Sequence, residues 1–233
     1  MIPLHFIDLD QCPIFHQLEL EEALLRGSTD NYCIVNRGSP PAIVLGISGK
    51  IEELVNTQEA KRRKIECIRR FSGGGTVVVD ENTLFITFIF NKDAFSILPY
   101  PEPILRWSGA LYQECWDISR FRLIENDYAI GNLKCGGNAQ YIKKDRWLHH
   151  TSFLWDYSEK NMNLLLLPKR RPQYRDNRSH SDFLCRLKHF ASSKEELIAK
   201  LYSHLQMHFS LTTVSSTTLR PAPHRKTLSR IDF

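Results

Sequence analysis

Apolar residues recur at helical spacing in four segments of this chain. The segments cover residues 17–26, 51–63, 103–116 and 193–209. Gly27 follows the first segment and is a residue type that commonly ends helices. Ser193 and Glu196 have the spacing of a capping box at the start of the last segment. The pattern therefore predicts four helices.

Short runs of β-branched and aromatic residues lie between these segments and predict strands. The runs cover residues 1–10, 32–36, 42–47, 65–71, 76–79, 84–90, 121–130, 133–142 and 147–157. We expect residues 76–79 and 84–90 to pair as an antiparallel hairpin with its turn at residues 80–83. Because helices and strands mix without regular βαβ alternation, the chain is predicted to be an α+β protein with a mainly antiparallel sheet flanked by helices.

The end of the chain differs in composition from the rest. After Phe209 the sequence is rich in serine and threonine, and then basic with two prolines. We expect a main domain over residues 1–209 and a loosely attached tail over residues 210–233. A chain of 233 residues is long enough to give such a domain an ample core.

Composition narrows the class of protein. Hydrophobic residues make up 42% of the chain and charged residues 24%, and no apolar run is long enough to span a membrane. The net charge of +5 suits an acidic partner without requiring nucleic acid. Basic residues cluster at 61–70 and 169–178, which indicates either solvated faces or a site for an acidic protein or an anionic ligand.

The cysteines and the first residues bear on the cellular compartment. Six cysteines at irregular spacing, with no CxxC pair, indicate a reducing compartment and no zinc site. Residues 1–10 contain two aspartates and no lysine or arginine, so no secretory or mitochondrial leader is visible. We expect a monomer in the cytoplasm or in an organellar matrix such as that of mitochondria.

A glycine loop is the strongest chemical signal in the sequence. Residues 69–72 (RRFS) lead into three consecutive glycines, which Thr76 and a β-branched run follow. Consecutive glycines cost backbone entropy and are kept where a side chain would block access. Backbone N–H groups beside arginine commonly hold a phosphate or an acyl-phosphate. The alternative is a glycine-rich hairpin turn, whereas Walker A and GxGxxG motifs are excluded by the residues that follow.

Two further segments carry candidate chemistry. Lys134 lies near glycines on both sides, where its ammonium can reach a phosphate or a carbonyl oxygen. Asn126 and Asp127 can supply oxygen ligands to Mg²⁺. The alternatives are an exposed hairpin lysine and a turn-forming Asn-Asp pair. His149 and His150 are adjacent on a predicted strand, so only one of them can face a site.

Taken together, these segments resemble a known family. Residues 69–80 are similar to the RRxSGGGxVxxD signature of lipoate–protein ligases, and residues 126–127 with residues 134–140 (KCGGNAQ) are similar to that family's ND and KxSGxAQ segments. Residues 149–154 resemble its HHGTLL strand. The resemblance implies a biotin/lipoate ligase-like catalytic domain over residues 1–209, with no full accessory domain in residues 210–233.

The resemblance also implies an activity and a set of site residues. The expected activity attaches lipoate, or a related medium-chain acyl group, to a lysine of lipoyl-domain proteins through an acyl-adenylate. Lys134 would bridge the acyl carbonyl and the AMP phosphate, and Asp127 would be a magnesium ligand. The implied substrate and adenylate contacts are Arg70, Ser72, Gly73, Gly74, Gly75, Thr76, Asn126, Asp127, Gly137, Ala139 and His150.

Substrates and partners follow from the same resemblance. ATP and Mg²⁺, or preformed lipoyl-AMP, are expected beside lipoate. The expected partners are acidic lipoyl-domain proteins, namely the E2 component of 2-oxoacid dehydrogenases and the glycine cleavage H protein, with a separate accessory protein for adenylation as an option. Neither nucleic acid nor a membrane is expected to bind.

The sequence departs from the family pattern in ways that leave two alternatives open. Val79 stands where the family usually has histidine, and Thr151 stands where it has glycine. Octanoyltransferases of the superfamily use a cysteine about 30 to 40 residues after the lysine, as a thiolate nucleophile. No cysteine lies in that window, and Cys135 and Cys185 are predicted to be bystanders. The alternatives are an octanoyltransferase that uses acyl carrier protein, and a non-catalytic module that binds lipoate or lipoyl domains.

Overall fold

A computed structural model describes residues 1–168 and 171–232. Twelve strands lie among these residues. In chain order they are β1 (Ile2–Leu9), β2 (Tyr32–Asn36), β3 (Ala42–Leu45), β4 (Glu66–Arg69), β5 (Val77–Val79), β6 (Thr83–Asn91), β7 (Phe121–Ile124), β8 (Asp127–Ile130), β9 (Leu133–Ile142), β10 (Arg146–Leu154), β11 (Phe209–Thr213) and β12 (Ser229–Arg230).

Seven α-helices lie in the same part of the chain. They are α1 (Ile14–Gly27), α2 (Ile51–Leu54), α3 (Thr57–Arg62), α4 (Pro101–Trp116), α5 (Glu159–Met162), α6 (His180–Phe183) and α7 (Lys194–His208). The Oγ of Ser193 accepts a hydrogen bond from the backbone N–H of Glu196, which confirms the predicted cap of the last helix. None of the described helices is long and apolar enough to cross a lipid bilayer.

The strands form two sheets. Eight of them pair in the order β11-β1-β2-β6-β10-β9-β8-β7, and four pair in the order β12-β4-β3-β5. In the larger sheet β1 pairs in parallel with β2 and β11, and the other described pairs are antiparallel. This arrangement confirms the predicted α+β class with a mainly antiparallel sheet.

Each face of the larger sheet has its own cover, because successive side chains on a strand point to opposite faces. Phe88 and Phe90 of β6 join Trp147 of β10 in a core that α4 and α7 cover. Ile89 and Leu148, the neighbours of these residues, join a second core with α1 and the smaller sheet. The two sheets and α1 therefore enclose the space in which the candidate site lies.

Strands β5 and β6 do not form the predicted hairpin. The turn itself is present, since the N–H of Thr83 donates to the carbonyl of Asp80 at 3.0 Å. However, β5 pairs with β3 in the smaller sheet, whereas β6 pairs with β2 and β10 in the larger one. The turn thus carries the chain from one sheet to the other. Pairing with distant strands replaced the local pairing that the sequence suggested.

Two other segments differ from the sequence-based expectation. Residues 51–63 form the two short helices α2 and α3, because Val55 between them bridges to Leu165. The segment after Phe209 is attached more firmly than expected. It adds β11 beside β1 and β12 beside β4, and Phe233 alone in that segment lies outside the described residues.

Candidate functional site

A cavity of about 810 Å³ lies between the smaller sheet, α1 and the strands β9 and β10. One part of its wall is apolar and is formed by Ile14, Leu18, Val44, Val79 and Phe85, which belong to the second core. Another part is polar and contains Lys134, Asp127, Arg175 and His180. A cavity with an apolar part and a cationic part suits an amphipathic anion such as a fatty-acid derivative.

The glycine loop borders this cavity and is held by Arg70. Arg70 is 4% exposed, and its guanidinium donates from Nη2 to the carbonyls of Gly73 (2.6 Å) and Gly75 (2.8 Å). Its Nε donates to Ser72 Oγ at 3.0 Å. Burial lowers the pKa of Arg70 to about 10, against the attraction of the Glu21 carboxylate, so the group stays charged at neutral pH. Arg70 is therefore a structural brace of the loop as well as part of the cavity wall.

The three glycines serve different purposes. Gly74 has φ of +98°, and a Cβ there would lie 2.8 Å from Arg70 Nη2. A Cβ on Gly73 or Gly75 would meet nothing within 4 Å, and both residues border the cavity. The backbone conformation thus requires a glycine at position 74. Gly73 and Gly75 instead leave the cavity open, which agrees with the prediction that glycines are kept where a side chain would block access.

Lys134 lies in the polar part of the cavity with Asp127. Its Nζ is 2.7 Å from Asp127 Oδ1, and the Tyr174 hydroxyl donates to Asp127 Oδ2 at 3.0 Å. Burial and the Asp127 carboxylate raise the pKa of that tyrosine, so it remains a donor. A Cβ on Gly137 would lie 3.3 Å from Lys134 Nζ, so this glycine leaves room for the ammonium. The lysine is a positioned charge at the cavity, and Asp127 orients it.

The contacts of Asp127 bear on the predicted magnesium site. Both of its carboxylate oxygens are engaged, one by Lys134 and one by Tyr174. In the part of the chain that the structure describes, no group of three or more His, Cys, Asp or Glu side chains could hold a metal ion. The role of Asp127 as a magnesium ligand stays a prediction, and its contacts favour the orientation of Lys134 instead.

The second basic cluster packs beside Lys134. Lys169 and Arg170 lie outside the described residues. Arg175 is 5% exposed, lies 4.8 Å from the centre of the Phe183 ring and lines the cavity. Its Nη2 is buried and has no hydrogen-bond partner among the described residues. Burial lowers the pKa of His180, and the charges of Arg175 and Lys134 lower it further.

The histidine pair divides between the two faces of β10, as strand geometry requires. His149 is fully buried in the core, where its Nε2 is 2.8 Å from the Tyr128 hydroxyl, and burial lowers its pKa to about 3. His150 lines the cavity. Its Nδ1 is 2.9 Å from Glu21 Oε2, and its Nε2 is 3.1 Å from Ser72 Oγ.

Glu21 is a site residue that sequence reasoning missed. It lies on α1, is fully buried and is 129 positions from His150. Its Oε1 accepts hydrogen bonds from Gln17 Nε2 (2.8 Å) and Thr87 Oγ1 (2.7 Å). In the sequence it stands among other glutamates on a predicted helix, so nothing marked it as buried.

The remaining predicted contacts also lie at the cavity. Thr76, Asn126, Gly137 and Ala139 line it, whereas Ser72 is fully buried behind it and joins Arg70 to His150. The Oγ1 of Thr76 is buried without a hydrogen-bond partner among the described residues. The structure therefore brings the sequence-predicted residues into one site.

The cysteines lie elsewhere. The sulfur of Cys185 faces the core, 3.5 Å from the carbonyl of Leu133, and that of Cys135 lies 3.3 Å from the carbonyl of Tyr128. None of the six cysteines lines the cavity as far as the structure describes it. The geometry offers no thiolate nucleophile at the site.

Comparison with protein families gives a match over most of the chain. The model of the lipoyl protein ligase A/B catalytic domain matches residues 13–210. The inactive lipoate–protein ligase 2 of Plasmodium falciparum is 31% identical and covers 79% of this chain and 63% of its own length. The lipoate-protein ligase LplJ of Bacillus subtilis is 30% identical and covers 50% of this chain and 34% of its own length. The chain thus spans less than two thirds of these relatives.

Solved structures share the fold. A lipoate-protein ligase A bound with ATP superposes with a TM-score of 0.74 at 17% identity, covering 92% of this chain and 88% of that one. A bipartite lipoate protein ligase from Thermoplasma acidophilum gives a TM-score of 0.75 at 18% identity, with the same coverage. A T. acidophilum protein with bound lipoic acid gives 0.74 at 16% identity, covering 92% of this chain and 90% of that one.

Proposed function

Because the chain belongs to the lipoyl protein ligase A/B catalytic domain family, we propose that it attaches lipoate, or a related medium-chain acyl group, to a lysine of a lipoyl domain through an acyl-adenylate. The observation that carries the proposal is the position of Lys134. Its ammonium is oriented by Asp127 at a cavity that is apolar in one part and cationic in another.

The cavity supports an acyl substrate. Its apolar wall can contact the hydrocarbon chain of a medium-length acid. The wall is formed by Ile14, Leu18, Val44, Val79 and Phe85. Val79, which departs from the family pattern, is 2% exposed and belongs to this wall. Substitution of a polar residue by valine there extends the apolar surface, so this departure is compatible with acyl binding.

The cationic part supports a nucleotide phosphate. Lys134 is joined there by Arg175, which lines the same cavity. Charge-assisted hydrogen bonds from an ammonium or a guanidinium to a phosphate are stronger than hydrogen bonds between neutral groups. Neighbours that share this fold bind ATP and lipoic acid.

Positioning and charge are sufficient for the proposed two-step reaction. First, the carboxylate of lipoate attacks the α-phosphate of ATP, and pyrophosphate leaves. Then the amine of the acceptor lysine attacks the acyl carbonyl, and AMP leaves. Negative charge develops on the phosphoryl and carbonyl oxygens, where a fixed ammonium such as Lys134 is most effective. Mg²⁺ enters with ATP, since it binds mainly through substrate phosphates and water.

The partner in this proposal is an acidic lipoyl domain. The net charge of +5 favours encounter with an acidic protein. An E2 lipoyl domain accompanies the bipartite ligase of T. acidophilum, which makes lipoyl domains of 2-oxoacid dehydrogenase E2 and of glycine cleavage H protein the acceptors to test. That bipartite system also makes a separate adenylation partner a reasonable component.

The test is the intact mass of an apo lipoyl domain after incubation with this protein, ATP, Mg²⁺ and lipoate, with a parallel reaction that contains preformed lipoyl-AMP instead. A lipoyl mass increase in both reactions identifies a complete ligase, and an increase with lipoyl-AMP alone identifies a transferase. Lys134→Ala is expected to abolish the increase. Lys144→Ala, an exposed lysine in the turn after β9, is the matched control and keeps it.

A second candidate is a non-catalytic module that binds lipoate or lipoyl domains. The observation that favours it is the 31% identity to a relative named as inactive. It predicts that lipoate or lipoyl-AMP raises the unfolding temperature while no donor modifies the acceptor. The octanoyltransferase alternative predicts modification from an acyl thioester without ATP, and the absence of a thiol from the described cavity wall disfavours it.

A further inference from the structure

Residues 172–185, called the covering segment below, lie across the β8–β9 hairpin that carries Lys134. The backbone N–H of Cys185 donates to the carbonyl of Lys134 at 2.9 Å, and Arg178 Nη1 donates to the carbonyl of Asn132 at 2.9 Å. The segment contributes to the cavity wall with Pro172, Arg175, His180, Phe183 and Leu184. It therefore closes part of the cavity and is held on the hairpin by hydrogen bonds to its backbone.

Tyr174 connects the covering segment to the ammonium of Lys134. Its backbone N–H donates to Glu125 Oε1 at 3.0 Å, and its hydroxyl donates to Asp127 Oδ2 at 3.0 Å. The other carboxylate oxygen, Asp127 Oδ1, is 2.7 Å from Lys134 Nζ. Tyr174 is not among the described residues that line the cavity, so an effect of its hydroxyl on a bound ligand must pass through Asp127.

The two partners of Asp127 divide its oxygens between them. The residue is 7% exposed, and a buried carboxylate oxygen without a donor costs free energy. The ammonium of Lys134 has three N–H donors, of which Oδ1 takes one. If the hydroxyl of Tyr174 were absent, a small rotation of the carboxylate would bring Oδ2 to the same ammonium. Lys134 would then give a second donor to Asp127 and keep fewer for a ligand in the cavity.

Resting on the proposed function, we propose that Tyr174 is a positioning residue, which holds Asp127 so that the ammonium of Lys134 stays available to the acyl-adenylate. No bond of the substrate forms or breaks at Tyr174. Because the hydroxyl belongs to the covering segment, Lys134 is oriented for the reaction only while that segment is docked on the β8–β9 hairpin. Closure of the cavity and orientation of the charge are thus one event.

Tyr174→Phe tests this role with little change to the fold. The variant keeps the aromatic ring, whose centre is 5.1 Å from that of Phe183, and the backbone hydrogen bond to Glu125. In single-turnover transfer from preformed lipoyl-AMP to an apo lipoyl domain, we expect the rate to fall roughly 10-fold. Hydrogen exchange of residues 172–184 is expected to stay at the wild-type rate. Tyr202→Phe is the matched control and keeps the transfer rate, because its hydroxyl lies 3.4 Å from Thr213 Oγ1 on the surface.

A second background tests whether the effect passes through Asp127. Asp127→Asn removes the carboxylate and lowers the transfer rate by itself. If Tyr174 acts through that carboxylate, Tyr174→Phe is expected to change the rate of Asp127→Asn by less than about twofold. A purely structural role of the tyrosine predicts instead the same roughly 10-fold loss in both backgrounds.

A third measurement does not depend on activity. Acetic anhydride acetylates the lysines of the protein without ligand, and peptide mass spectrometry gives the rate at each position. Acetylation of Lys134 is expected to be roughly threefold slower in Tyr174→Phe, because both oxygens of Asp127 then hold the ammonium. The exposed Lys144 is the internal control and keeps its rate. In the Asp127→Asn background, Tyr174→Phe is expected to leave the acetylation of Lys134 unchanged.

Two results would overturn the inference. One is an equal loss of transfer in both backgrounds, or faster hydrogen exchange of residues 172–184, which would assign Tyr174 to the fold of the covering segment alone. The other is wild-type transfer and wild-type acetylation of Lys134 in Tyr174→Phe. If the wild-type protein transfers nothing from lipoyl-AMP, the proposed function is wrong, and the acetylation rates then decide separately whether Tyr174 positions Lys134.

Discussion

Replacement of Arg70 by methionine separates the stability of the fold from the order of the glycine loop. The guanidinium is nearly fully buried and donates to the carbonyls of Gly73, Gly75 and Val44. Methionine has a similar length but no donor. The substitution therefore removes a buried charge and four hydrogen bonds to three backbone carbonyls at once.

The two effects oppose each other. The pKa of Arg70 is lowered from 12.5 to about 10, and this shift corresponds to roughly 3 kcal/mol of burial cost that the charged side chain imposes on the fold. The buried carbonyl of Val44 would cost about 1–3 kcal/mol if it were left without a partner, and the partly exposed carbonyls of Gly73 and Gly75 would each lose a hydrogen bond from a charged donor worth about 1.5–3 kcal/mol. The glycine loop can avoid part of that cost by opening to water, since a Cβ at Gly73 or Gly75 would meet open space.

We therefore expect Arg70→Met to lower the free energy of unfolding by only about 1–3 kcal/mol while the loop opens locally. If the closed loop falls to about a tenth of the population, the Kd for lipoyl-AMP rises about 10-fold. Hydrogen exchange of residues 72–77 and calorimetric titration measure the two effects. Arg62→Met, at an exposed arginine that pairs with Glu59, is the control. Unchanged exchange and an unchanged Kd in Arg70→Met would refute the reasoning.

Three further predictions concern stability. Burial raises the pKa of Glu22, but hydrogen bonds from Thr227 and its neighbours have the larger effect together and hold the pKa below its ordinary value of 4.5. The carboxylate therefore stabilises the fold above pH 4.5, and this stabilisation is lost as the pH falls through the lowered pKa. The unfolding temperature is expected to fall less steeply between pH 6 and pH 3 for Glu22→Gln than for the wild type. Gly136→Ala would place a Cβ 2.5 Å from the buried Phe153 ring and is expected to cost about 1–3 kcal/mol in urea unfolding. Ser193→Ala removes the α7 cap and is expected to cost about 1 kcal/mol by the same measurement.

The features that the sequence predicted correctly depend on interactions between residues close together in the chain. The cap at Ser193 depends on two residues of one turn, and the glycine loop depends on the six consecutive residues 70–75. Gly74 shows why: its φ of +98° and its contact with Arg70 are both set within five residues. Such features depend on contacts between neighbouring residues, so the residue types along the sequence are enough to predict them.

Features that depend on distant partners were not predictable in this way. Residues 76–79 and 84–90 have the pattern of a hairpin, yet β5 joins β3 and β6 joins β2 and β10. Glu21 gives the same lesson for the site, since its partners Thr87 and His150 lie 66 and 129 positions away. A glutamate on a helix is solvated in most proteins, and only the tertiary packing buries this one.

The basic cluster near Lys134 shows why a count of charges does not locate an anion site. Arg178 directs its guanidinium to the backbone carbonyls of Asn132, Tyr174 and Arg175, so its donors already hold the segment together. Arg175 differs, because it lines the cavity while its buried Nη2 finds no acceptor among the described residues. That nitrogen has almost no solvent-accessible surface, so an anion in the cavity reaches it only if the side chain moves. The number of arginines in the cluster therefore does not locate an anion site, because a guanidinium must also be free of other acceptors and open to the cavity.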